Sequence, residues 1–193
     1  LRSKGPEQAS QWAESLPDGA LKGSAMSRIA ESYAKKDPLA AAEWAQRYAD
    51  KDYAAKAIEQ VGGRWAQTNP AAAAGWLDNL PAGSGQTSGL RNVFDNWEDS
   101  DPAAAGKYLQ AMPISPKRHS AVSGFATGIA WQNPQAAIAW AQDISDPGLR
   151  QTSLTRVGQV YFQRDPAAAR AWLEASGLPA ATQQQIVKPI DRR

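Results

Sequence analysis

An acidic or amide residue followed by proline recurs at Asp37-Pro38, Asn69-Pro70, Asp101-Pro102, Asn133-Pro134 and Asp165-Pro166, each proline 32 residues after the one before. One further step of 32 towards the N-terminus reaches Pro6, preceded by Gly5. Six residues after each proline stands an aromatic: Trp12, Trp44, Trp76, Tyr108, Trp140 and Trp172. The repeats therefore share one frame without an insertion. A fixed period of this length confines the chain to an architecture in which every repeat solves the same packing problem against its neighbours.

Asp or Asn before Pro starts a helix for a physical reason. The side-chain oxygen accepts from free amides of the first turn, and proline at the first helical position sacrifices no hydrogen bond. Small or apolar residues then recur three, six, seven and ten positions after the proline, as in Ala41, Trp44, Ala45 and Tyr48 or Ala73, Trp76, Leu77 and Leu80. This is the spacing of one helical face. It predicts a first helix of about eleven residues, closed by Pro and Gly near Leu16-Pro17-Asp18-Gly19, Leu80-Pro81, Met112-Pro113 and Gly177-Leu178-Pro179. A second periodic stretch of roughly fifteen residues follows, with rows such as Met26, Ile29, Ala30 and Tyr33, or Ile58, Val61, Gly62 and Trp65. No stretch alternates as a strand does.

The expectation is an all-α chain of about twelve helices: a right-handed α-solenoid of six helix-turn-helix repeats, forming one helical-repeat domain over residues 1–193 with repeats starting near Pro6, Pro38, Pro70, Pro102, Pro134 and Pro166. In such a stack the row Trp12, Trp44, Trp76, Trp140 and Trp172 is core packing, and so are Trp65 and Trp97, which share a row with Tyr33 and Tyr161. The layout resembles the tetratricopeptide (TPR) class of α-solenoids over residues 6–188, in a variant with a period of 32. That family also places an aromatic after the proline that closes the preceding repeat, and small residues where its two helices touch. The resemblance implies protein or peptide binding, and it brings no catalytic residues with it.

Partner chemistry is expected where the repeats differ. Trp131 lies two residues beyond the aromatic row, in the register of Lys35, Gln67, Asp99 and Gln163. A helical wheel puts it near the middle of the second helix's outward face, as a candidate interface anchor. Lys117-Arg118-His119 is a local basic cluster, and Arg150 lies one repeat beyond Arg118, so a solvated turn or a small anion or acidic-peptide site is expected there. No role is assigned to His119. Eight positions after each proline stand Glu14, Gln46, Asp78, Gln110, Gln142 and Glu174, acidic or amide throughout. The wheel sets this row opposite the tryptophans, where it could hold an extended peptide backbone or simply be solvated. Arg91, Asp95 and Asp99 are further variable outward positions. Gly83-Ser84-Gly85-Gln86-Thr87-Ser88-Gly89 lacks the Lys-Ser/Thr ending of a phosphate loop and reads as a flexible turn between helices. The last repeat carries Ser176 and Gly177 at normally apolar positions and Pro189 in place of Ile29, Val61 and Val157. Its second helix should therefore end by about Lys188 and act as a degenerate cap.

Composition narrows the function. Twenty-one Lys and Arg against 19 Asp and Glu leave a formal charge of +2, which gives no bulk attraction for nucleic acid or an anionic membrane. The outward rows mix Lys56, Glu59, Asp95 and Ser123 without the regular basic spacing of an RNA-reading repeat, so no nucleic-acid partner is expected. There is no Cys and a single His, which removes thiolate nucleophiles, Cys-built zinc sites and poly-His centres; no cofactor is expected. No apolar run is long enough for a transmembrane segment. The chain starts at Leu1, so its numbering is expected to begin after processing or trimming. The expected function is a non-enzymatic scaffold that binds a protein or peptide on the repeat surface. The alternatives are an architectural subunit of a larger assembly and the non-catalytic superhelical part of a larger enzyme. Composition leaves open self-association and the choice between an exported or periplasmic and a cytoplasmic location.

Overall fold

The computed structural model describes residues 5–188, which contain twelve α-helices, a single 3-10 turn and no strand. The helices are α1 (Pro6–Glu14), α2 (Ala20–Lys36), α3 (Pro38–Gln46), α4 (Ala55–Ala66), α5 (Pro70–Asp78), α6 (Ser84–Ser100), α7 (Pro102–Ala111), α8 (Pro116–Ile129), α9 (Pro134–Gln142), α10 (Pro147–Arg164), α11 (Pro166–Ala175) and α12 (Ala180–Val187). A proline opens every odd-numbered helix, at the positions the repeat demands. The Oδ1 atoms of Asp37, Asn69, Asp101, Asn133 and Asp165 accept from the backbone amides of Ala40, Ala72, Ala104, Ala136 and Ala168 at 2.9–3.1 Å. Each bond satisfies an amide that the helix start would otherwise leave without an acceptor.

The first helices hold 9 or 10 residues, shorter than the apolar spacing suggests. Their last apolar residue sits instead in a tightened turn, as where the Leu80 amide donates to the Leu77 carbonyl at 3.2 Å. Second helices range from 8 residues in α12 to 18 in α10. Ser115 and Asp146 cap α8 and α10 directly before Pro116 and Pro147. Gly83–Gly89 is not a flexible turn: α6 starts at Ser84, and Gly85 and Gly89 lie within it. Their missing side chains let the helix approach Ala55 and Leu77, where a Cβ would come within 3.0 Å and 2.7 Å respectively. The final helix stops at Val187, as the cap reading requires; Pro189 lies outside the described residues.

The chain divides between Asn96 and Trp97 into two compact halves. In the N-terminal half, α2 packs on α1, α3 and α4, and α4 packs on α3 and α5. In the C-terminal half, α8 packs on α7, α9 and α10, and α10 packs on α9, α11 and α12. α3 and α9 each lie between their own second helix and that of the preceding repeat, while second helices also pack on one another. The cores are apolar rows at repeat positions: Ala41 and Ala73, Ala105, Ala137 and Ala169, with Met26 and Ile58, Val122, Leu154 and Ile186, all buried.

Ring pairs mark the contact between consecutive repeats. Tyr33 meets Trp44 at 6.1 Å and Trp65 meets Trp76 at 6.2 Å; in the other half Trp97 meets Tyr108 at 5.6 Å and Tyr161 meets Trp172 at 6.3 Å. Ile129 occupies the aromatic row before Trp140, and Phe125 supplies the ring instead, at 5.3 Å. The partner of each first-helix aromatic thus comes from the preceding repeat. This corrects the expectation for Trp12, which is 56% exposed although it occupies the same row as Trp44, which is 3% exposed. Trp76, Trp140 and Trp172 are half-buried, their rings pairing on one side and reaching solvent on the other.

At Gly23, α2 lies close against the following repeat: a Cβ there would run into the Tyr53 carbonyl oxygen. At Gly63 the nearest atom to an added Cβ is Asn92 Oδ1 at 3.5 Å, an ordinary contact. Both glycines are helical. Gly63→Ala should therefore gain about 0.5–1 kcal/mol from helix propensity. Gly23→Ala should lose about 1–3 kcal/mol, because backbone must move to admit the methyl and this outweighs the same propensity gain. Urea denaturation of both variants checks the opposite signs.

Candidate functional site

Sixteen residues after the proline stand Lys22, Ala54, Gln86, Arg118, Arg150 and Thr182. The long polar members of this row turn inward. Gln86 Nε2 donates to the carbonyls of Leu80 at 2.7 Å and Leu77 at 3.1 Å. Arg118 Nε donates to the Leu109 carbonyl at 3.0 Å, and Arg150 Nη1 to the Ile144 carbonyl at 2.8 Å. The second helices α6, α8 and α10 so supply a donor to carbonyls that end their own first helices, where a helix leaves acceptors without partners and where its dipole favours a cation.

That geometry corrects the reading of the basic cluster. Arg118 is buried and also forms an ion pair with Asp143 at 2.9 Å, while its Nη1 is buried without a hydrogen-bond partner. Arg150 is half-buried on its own carbonyls, and Lys117 is half-buried. His119 is buried, and its Nε2 accepts a long 3.5 Å bond from the Ser145 amide. Arg118 and Arg150 each donate to carbonyls of their own repeat, and Arg118 also reaches Asp143 of the next one. The signal that could have found this is the 32-residue recurrence of long polar side chains at one second-helix position.

Lys22 follows the row by another route. It is buried, its ammonium lies 3.0 Å from Asp18 Oδ1, and the rings of Tyr48 and Tyr53 lie 5.5 Å and 5.6 Å away. The Lys22 ammonium, with the Tyr53 hydroxyl at 3.0 Å, holds the Asp18 carboxyl below its usual range, and Asp18 in turn raises Lys22.

The members of the acidic and amide row differ in exposure. Glu14 does not project freely: Oε1 accepts from Trp44 Nε1 at 2.9 Å and from Arg47 Nη2 at 2.8 Å, both in the next repeat. The helix side opposite the tryptophans faces the following first helix here, which a wheel drawn for one helix cannot register. Asp78 is half-buried, while Gln46, Gln110, Gln142 and Glu174 are exposed. Of the variable positions on α6, Arg91 is half-buried and Asp95 and Asp99 are exposed. Ser123, expected to face outward, is buried and shares a 2.7 Å hydrogen bond with Ser153 of the next repeat.

Trp131 is 55% exposed, as expected, but its setting differs. Because α8 ends at Ile129, Trp131 sits in the turn before α9 and not on a helix face. The backbone of this turn is tied to the next repeat by Arg164 Nη1, which donates to the Gln132 carbonyl at 2.7 Å. The result is a large apolar side chain displayed on a turn whose backbone is hydrogen-bonded to the next repeat.

Among the described residues, no cluster of three or more His, Cys, Asp or Glu side chains is placed to hold a metal ion, and no helix is long and apolar enough to cross a membrane. No family model matches the chain, and no similarity to a curated protein or to a solved structure reaches significance.

Proposed function

We propose that this protein is a non-enzymatic scaffold of the TPR-like α-solenoid kind, whose repeats continue one into the next and present turns and outward helix positions to a protein or peptide partner. The observation that carries the reading is Trp131. Recurrent aromatics pair with rings of neighbouring repeats, and recurrent polar groups cap helices, so what repeats is spent on the stack. Trp131 does not recur and, among the described residues, pairs with no ring, yet it displays a large apolar surface on a turn hydrogen-bonded to the next repeat. Aromatics of this kind anchor protein interfaces because they bury much area with few rotamers to freeze. The exposed amides Gln110 and Gln142 of the same half offer donors and acceptors suited to an extended backbone.

The expected result of Trp131→Ala is a loss of partner affinity of about 2 kcal/mol or more with little change in melting temperature. Affinity capture with the wild-type chain, followed by titration of each captured protein against both forms, makes the measurement. Affinity that is unchanged for every captured protein, or a Trp131→Ala chain that unfolds, would overturn the assignment.

A further inference from the structure

Asp18 is the one aspartate of the chain that precedes a glycine, whereas Asp37, Asp101, Asp146 and Asp165 precede prolines, which have no amide N–H. It lies in the turn between α1 and α2 with its side chain 64% exposed. A glycine amide has no Cβ beside it to keep it from the carboxyl carbon of the preceding aspartate. Gly19 has φ 143° and ψ −167°, a conformation that L residues rarely adopt, so the fold keeps glycine at this position. The same carboxylate ties the first repeat to the second. Its Oδ1 accepts from Lys22 Nζ and from the Tyr53 hydroxyl, each at 3.0 Å. The Lys22 side chain is only 8% exposed, and among the described residues Asp18 is its one hydrogen-bond partner.

We propose that Asp18–Gly19 is a modification site, at which release of the carboxylate by Lys22 and Tyr53 lets the chain convert to isoaspartate and so loosens the junction between the first two repeats. The Gly19 amide nitrogen attacks Asp18 Cγ: one N–C bond forms, and a carboxyl oxygen leaves as water with the amide proton and the acid proton. A second water opens the five-membered imide. Opening at the Asp18 main-chain carbonyl leaves the backbone running through Cβ and Cγ, one methylene longer, with the carboxylate borne directly on Cα. Water is the only reagent the conversion needs. While Lys22 and Tyr53 hold it, the carboxyl stays ionised, its pKa below the usual range, and an ionised carboxylate is a poor target for the amide. After conversion, the shortened arm and the lengthened main chain withdraw it from both donors. The buried Lys22 ammonium then keeps only the rings of Tyr48 and Tyr53, a costly setting for a charge taken out of water.

Storage of the folded chain in warm neutral buffer tests this, with converted sites labelled by an isoaspartate methyltransferase and located by peptide mapping. Conversion is expected at Asp18 ahead of every other aspartate. Tyr53→Phe, which keeps the ring over Lys22 and removes the hydroxyl, should convert several-fold faster, with circular dichroism to verify its helicity. The converted fraction, separated by ion exchange, should melt at a lower temperature than unconverted chain of the same age. Conversion at Asp18 no faster than elsewhere overturns the proposal. So does a Tyr53→Phe chain that keeps its helicity and converts at the wild-type rate, and so does a converted fraction that melts with the unconverted one. The mapping and the melting comparison use the wild-type chain, so they decide the matter even where Tyr53→Phe loses its fold.

Discussion

Trp44→Ala should cost about 3–5 kcal/mol of folding free energy, the usual loss when a buried Trp side chain is removed and its site collapses only partly. The ring is 3% exposed, packs on Tyr33 at 6.1 Å and donates from Nε1 to Glu14 at 2.9 Å. Removal forfeits the burial and the ring contact, and it strips one donor from a half-buried carboxylate. The comparison that gives the measurement its force is Trp12→Ala. Trp12 holds the same place in its repeat but is 56% exposed, so its loss should amount to less than about 1 kcal/mol. Chemical denaturation of the two variants side by side decides the point. Equal losses would show that the row acts through its own helix and not through the preceding repeat.

Leu77→Ala should be as damaging, again about 3–5 kcal/mol and towards the upper end of that range. Leu77 is completely buried, and its branched end fills space left open by Gly62 on α4 and Gly89 on α6. A Cβ at those glycines would come within 2.9 Å and 2.7 Å of Leu77 methyl carbons. Glycine has no side chain that can shift into a void, so the cavity left by truncation persists, and cavity volume sets the size of the loss. The same geometry predicts a partial rescue. Adding Gly62→Ala and Gly89→Ala to the truncated chain should return about 1–2 kcal/mol by refilling the site and by favouring the helix at both positions. In the wild-type background the same two methyl groups meet Leu77 and should destabilise. Coupling of this sign between neighbours is read from a mutant cycle followed by urea denaturation.

The sequence alone determined where the first helix of each repeat starts. A cap and a proline act within one turn, through a hydrogen bond spanning three residues, so Asp37, Asn69, Asp101, Asn133 and Asp165 declare their helices wherever the rest of the chain lies. It also determined which apolar rows form the core, because a helical period fixes which side chains share a face. The tertiary structure alone decided the fate of individual long side chains. Trp12 and Trp44 share a row yet differ in burial because the ring partner comes from the preceding repeat. Arg118 and Arg150 look like a basic edge until the first helix folds back and offers them carbonyls. Glu14 turns out to be engaged only once the next repeat brings Trp44 and Arg47 beside it, 30 and 33 residues along the chain. Trp131 leaves the helix face because α8 stops at Ile129. The division has a single physical reason. Helix starts are settled by bonds within a turn, whereas the burial of a long side chain depends on what a neighbour some thirty residues away places against it, and no wheel or period computed along one helix contains that neighbour.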